Sequence, residues 1–234
     1  DITDDLTITG AGAATTIIDG GALDRVLHIL GGNTVELSGV TVRNGNPGSN
    51  RDGGGILNSG GSTLTINDST VNGSTATSGG GISSDGTLTV NNSTISGNTA
   101  TSDGFGGGGI VDNGGGTVTI NNSTISGNTA QPGAGLGGGG GIGKWGGTLT
   151  INNSTISGNT VGNSGGGFLV SGATAIVNNT TISGNSAGTT ASGIFNGGTV
   201  SLITTIIADT GTECSGSIAA ITSLGHNLSG DSSC

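Results

Sequence analysis

The residues able to do chemistry are few, and their placement already limits what they could do. Four side chains are basic (Arg25, Arg43, Arg51 and Lys144), against 14 Asp and Glu. Hydrolysing a glycosidic bond takes two carboxyl groups within roughly 5–10 Å of each other. Asp4-Asp5 is the one paired-acid motif, and Gly225-His226-Asn227 is the nearest approach to a Gly-His-Gly; they fall at opposite ends of the chain. Asp85 and Asp112 occupy nearby positions in successive repeats, so stacking could bring them within reach, without an acid/base partner. Arg43 and Arg51 fall on or beside one loop with Asp52, whereas Arg25 and Lys144 fall on other sides of their repeats. For metals, Ser102-Asp103-Gly104-Phe105-Gly106 departs from the GGxGxD calcium spacing, although Asp103 could help hold a surface ion. His28, in Val26-Leu27-His28-Ile29, is expected to point outward from a strand, and His226 to lie in the tail, neither with ligand company. The expectation is therefore a chain with no catalytic, cofactor-binding or metal residues, and not an enzyme.

Composition removes further classes. The formal net charge of −10 leaves no basic footprint for nucleic acid or for an anionic membrane surface. No apolar run approaches the roughly 20 residues that span a bilayer. The chain opens Asp1-Ile2-Thr3 with no visible signal peptide, as a processed or excised product would. Gly supplies 54 residues, Met and Tyr are absent, and there are three Phe and one Trp, so the core must be thin and aliphatic. Cys214 and Cys234 lie outside any metal spacing. They read either as one disulfide closing a terminal loop, with an oxidising compartment and about 3 kcal/mol of stabilisation, or as two free thiols.

The elements that would position these residues repeat. TLTINDSTV begins at 63, TLTVNNSTISGN at 87, TVTINNSTISGN at 117, TLTINNSTISGN at 148 and TAIVNNTTISGN at 174, with a weaker TVELSGVTV at 34. A phrase returning every 24–31 residues marks a repeat protein. In Thr148–Ile151 polar and apolar residues alternate, the period of a half-buried strand. Asn152-Asn153 and Gly158-Asn159 are bends. A glycine run and then Phe168 open a third strand. Three short strands per repeat predict an all-β parallel β-helix, right-handed, of about eight coils over residues 1–207 and ~38 Å long. Aliphatic residues should stack through Ile95, Ile125 and Ile156, and through Ile110, Ile142 and Phe168. Asn91, Asn121, Asn152 and Asn178 should form one amide ladder, and Asn98, Asn128, Asn159 and Asn185 a second, as stacked amides bond up and down a column. Insertions at 45–52, 101–106 and 131–138 share one corner and make Arg51, Asp52, Asp103 and Phe105 a candidate contact edge. Trp145 could stack on a sugar there or cover the seam beside the 131–138 loop.

The pattern resembles the right-handed parallel β-helix of the pectin-lyase-like superfamily, and more closely the non-catalytic repeats of bacterial surface proteins, including polymorphic outer-membrane proteins. The resemblance rests on GGGI at 53–56, 79–82, 107–110 and 139–142, and on Ile-Ser-Gly-Asn at 95–98, 125–128, 156–159 and 182–185, with Ile where that family has an aromatic. It implies a secreted or cell-surface location. Relatives carry a capping segment before the first coil; none is visible here, so an uncapped N-terminal coil could self-associate into fibres. Residues 208–234, with both cysteines, are expected to leave the pattern and cap the other end. The functional expectation is a structural or adhesive module, with a surface glycan or protein as the further partner. A carbohydrate-binding or polysaccharide-degrading β-helix is one alternative. The other is an ice binder using the outward Thr63/Thr65, Thr87/Thr89, Thr117/Thr119 and Thr148/Thr150 rows, which Glu36 and Ile176 interrupt.

Overall fold

A computed structural model describes residues 1–101, 106–131, 138–216 and 221–234. Asp103 and Phe105 of the candidate contact edge lie outside these residues. The chain is a parallel β-solenoid of about eight turns, with no helix among the described residues. Three principal strands build each coil, and five coils add a fourth of two residues, such as Thr99–Ala100 and Thr129–Ala130.

Register follows residue type. Thr87–Asn91 lies on Thr63–Asn67 residue for residue, and Thr117–Asn121 on Thr148–Asn152. Ile95 sits between Val71 and Ile125, and Ile110 between Ile82 and Ile142. Leu64, Ile66, Ile95, Ile125, Ile156 and Phe168 are fully buried in one continuous core. A one-residue slip would turn this whole aliphatic set outward, so each rung specifies the register of the next.

Two left-handed residues bend each coil. The second Asn of the NN pair has φ between 45 and 50° at Asn92, Asn122, Asn153 and Asn179, and the Gly of Ile-Ser-Gly-Asn has φ near 62° at Gly97, Gly127 and Gly158. Asn and Gly are the residues that reach this region at low cost. The glycine run has a different cause. A Cβ on Gly141 would fall 2.6 Å from Gly167 O and 3.1 Å from Asn159 Nδ2, and the same amide crowds Gly81 and Gly109 from Asn98 and Asn128. The last Gly of GGGI is thus a slot for the Asn that closes its own coil, which ties the two motifs together.

Residues 208–234, expected to cap the last coil, include three strands that pair with it. Cys214–Gly216, Ile221–Ser223 and Leu228–Ser229 pair in parallel with the coil before them, forming a partial further turn. The Cys214–Cys234 disulfide closes it, with Cα atoms 5.2 Å apart.

Candidate functional site

The inner ladder is a directional chain. The Asn98, Asn128 and Asn159 amides each donate through Nδ2 to the Oδ1 of the next coil's Asn at 3.0 Å, and their backbone N–H groups donate to the same oxygen. The second proton of each Nδ2 goes to a carbonyl of the previous coil, as from Asn159 to Ile125 O at 2.9 Å. All four Asn are 0% exposed. Asn185 donates to Asp209 Oδ1 at 3.0 Å, and a carboxylate, having no donor, ends the chain there. Asp209 Oδ2 is buried without a partner against Gly193, where the earlier coils hold an amide nitrogen. Burial raises the Asp209 pKa, opposed by the bonds from Asn185 and reinforced by the charge of Glu213.

The outer ladder runs the other way. Asn178, Asn152, Asn121 and Asn91 each donate to the preceding coil's Asn at 2.8–2.9 Å, and Asn67 donates to Glu36 Oε1 at 2.8 Å. Each ladder therefore finishes on an acid, at opposite ends of the rod. Beside the outer ladder a buried serine column, Ser69, Ser93, Ser123 and Ser154, takes a backbone N–H from the previous coil at 3.0–3.1 Å. Sequence reasoning missed both terminators and the serines. Glu36 was legible only as a gap in a threonine row, and Asp209 stands one residue short of the Asn register.

Asp112 and Lys144 meet inside the solenoid. They are direct register partners, both 0% exposed, with Nζ 3.2 Å from Oδ1. Lys144 also donates to Gly116 O at 2.8 Å and Gly146 O at 2.6 Å, so all three ammonium protons are used. Burial raises the Asp112 pKa and lowers that of Lys144, each opposed by the charge of the other. Asp85, expected within reach of Asp112, adds its charge to the rise in the Asp112 pKa, and Asp112, expected without an acid/base partner, is held by Lys144. The signal was available: both residues stand two places after an inward Ile, and period-2 parity turns them inward.

The loop edge is partly as expected. Arg51 is exposed and 3.9 Å from Asp24, and Asp52 is half-buried with its pKa raised by burial and by the charge of Asp85. Arg25, expected on another side, joins them and donates to Asp52 O at 2.7 Å and Gly53 O at 3.3 Å. Trp145 is half-buried, and its ring covers the outer side of Gly143, where an added Cβ would meet it at 2.5 Å.

His28, expected to face outward from its strand without metal-ligand company, is half-buried between two polar side chains. Its Nδ1 lies 3.1 Å from Asp1 Oδ1 and its Nε2 3.2 Å from Ser59 Oγ. The three residues come from three successive coils of one strand column, since Ile2 bridges Ile29 and His28 pairs with Leu57. The threonine rows stack in register from Thr63 and Thr65 to Thr148 and Thr150, and the first continues to Thr174 and Thr199.

These features define the class as a parallel β-solenoid stitched by polar ladders. Comparison with family models, with curated proteins and with solved structures finds no match to the chain. Of the resemblance to pectin-lyase-like and surface-protein repeats, the structure shows the parallel solenoid.

Proposed function

We propose that the chain is a structural or adhesive module of a secreted or surface-displayed protein, and that copies of it stack head to tail. The observation supporting this reading is that the first and last described rungs belong to the same two strand columns, so one copy's last rung matches another's first. Leu6–Thr9 and Ile17–Asp19 pair on one side only at the first rung, and Ile221–Ser223 and Leu228–Ser229 do so at the last. At the first rung Leu6, whose register partner Val35 is fully buried, is 39% exposed. A second copy set on the last rung continues both columns in parallel, pairs their backbone groups and covers Leu6. Such a heterologous contact repeats without closing and makes a filament. The disulfide fits an oxidising, extracellular compartment. Degradation of polysaccharide by a carboxylate pair finds no support at Asp85 and Asp112, because Asp112 is held inside the rod by Lys144.

Sedimentation velocity and electron microscopy over a concentration series test this reading. Rods lengthening in multiples of ~40 Å, and shortening when Ile17→Lys puts a charge on the edge, are expected. A single monomeric species at high concentration and high salt would contradict it.

A further inference from the structure

The corner formed by Asp1, His28 and Ser59 carries chemistry that a stacking module does not need. A carboxylate only accepts hydrogen bonds, so the contact with Asp1 Oδ1 at 3.1 Å places the imidazole proton on Nδ1. Nε2 is then the acceptor, and the partner it faces at 3.2 Å is the Ser59 hydroxyl. A nucleophile bonded to a base that a third group orients is the geometric signature of an activated serine. Partial burial lowers the His28 pKa, and the positive charge of Arg25 lowers it further, which favours the neutral imidazole a general base must be.

The surroundings leave room for a substrate. Ser59 is half-buried at the end of the strand Ile56–Asn58, and the exposed Gly60 and Gly61 follow it. A Cβ on Gly60, the residue after Ser59, would meet nothing nearer than Asp85 O at 3.9 Å. The Ser59 N–H is used by Ile29 O, but among the described residues the N–H groups of Gly60 and Gly61 have no backbone acceptor.

We propose that Ser59, His28 and Asp1 form a nucleophilic serine relay that acts on small carboxylic esters presented at the surface of the rod. This departs from the expectation of a chain without catalytic residues. Ser59 Oγ attacks the ester carbonyl carbon while its proton passes to His28 Nε2. Asp1 balances the imidazolium through Nδ1–H. Collapse of the tetrahedral intermediate breaks the bond to the leaving alkoxide, which takes the Nε2 proton and departs as the alcohol. Water, deprotonated by the same nitrogen, then attacks the acyl-Ser59 ester, and the proton returns to Ser59 as the carboxylic acid leaves. Ser59 and His28 are the catalytic residues, and Asp1 is a positioning residue.

The test uses the full chain with two probes, a fluorophosphonate for the serine and p-nitrophenyl acetate for turnover. The proposal expects one phosphonylated residue, Ser59 by peptide mass spectrometry. Labelling should vanish in Ser59→Ala and slow by about 100-fold in His28→Ala, the usual contribution of a general base. Asp1→Asn should lower kcat at unchanged KM, with partial recovery in Asp1→Glu. Ser49→Ala, on an exposed loop, should leave the rate unchanged. Melting temperatures of all variants, compared with the parent, separate loss of chemistry from loss of fold. No labelling of Ser59 in folded protein, or equal labelling in His28→Ala, would overturn the proposal. Neither result touches the stacking reading, which sedimentation decides.

Discussion

Replacing Asn159 with Ala should be among the most damaging single changes to this chain, although the residue lies at a bend. Its side chain makes four bonds: Oδ1 accepts from Asn128 N and Nδ2 at 3.0 Å, and Nδ2 donates to Ile125 O at 2.9 Å and Asn185 Oδ1 at 3.0 Å. At about 0.5–1.5 kcal/mol net for each bond, the loss is about 2–6 kcal/mol, a large share of the 5–15 kcal/mol typical of a folded domain. Asn159→Asp keeps the acceptor but loses both donations and turns a carboxylate toward two oxygens. Its folded pKa must then lie above the unfolded value. The part of the penalty that comes from the charge is accordingly absent below about pH 4 and grows as pH rises toward the folded value, on top of the lost donations. Asp209→Asn should do the opposite. The new amide can donate as the other ladder amides do and removes a carboxylate whose pKa burial already raises, gaining about 0.5–1.5 kcal/mol at neutral pH. Urea denaturation at pH 4 and pH 7 reads all three. The ladder argument fails if Asn159→Ala stays within about 0.5 kcal/mol of the parent, or if Asp209→Asn is as harmful as Asn159→Ala.

Other outcomes follow from the same geometry. Lys144→Met alone should cost about 3–5 kcal/mol by stranding the buried Asp112, whereas Lys144→Met with Asp112→Leu should recover most of that loss in urea melts. Gly141→Ala should destabilise more than Gly127→Ala. The first drives a Cβ into Gly167 O at 2.6 Å, while the second meets nothing within 4 Å and carries only the cost of its left-handed backbone, about 1–2 kcal/mol, which thermal melts will separate. Reducing Cys214–Cys234 should loosen the partial last turn alone, seen by hydrogen exchange as lost protection at 221–229 with the Asn ladders unchanged.

The solenoid was legible because its rungs are nearly identical: Ile95 must lie over Ile125 once Thr-x-Thr-aliphatic-Asn-Asn is seen to return. Repetition also revealed which Asn residues form ladders. It could not reveal how they end, since a terminator is by nature a departure from the repeat, as Glu36 and Asp209 are. Asp112 and Lys144 were hidden for a related reason. Each looks like an isolated surface charge until the inward parity of its strand is followed. The corner at His28 needed three dimensions, because its partners lie 27 and 31 residues away in non-repeating positions.

Every claim above depends on each coil lying one strand spacing from its neighbour with equivalent residues aligned. Double electron–electron resonance between spin labels at Thr65 and Ser201 measures this directly. These positions are joined in register through Thr89, Thr119, Thr150 and Ile176. At ~4.8 Å per coil the backbone separation should be about 24 Å, and moving the first label to Thr89 should shorten it by about 5 Å. A distance that does not shorten on that move, or one far from 24 Å, would contradict the stacked solenoid.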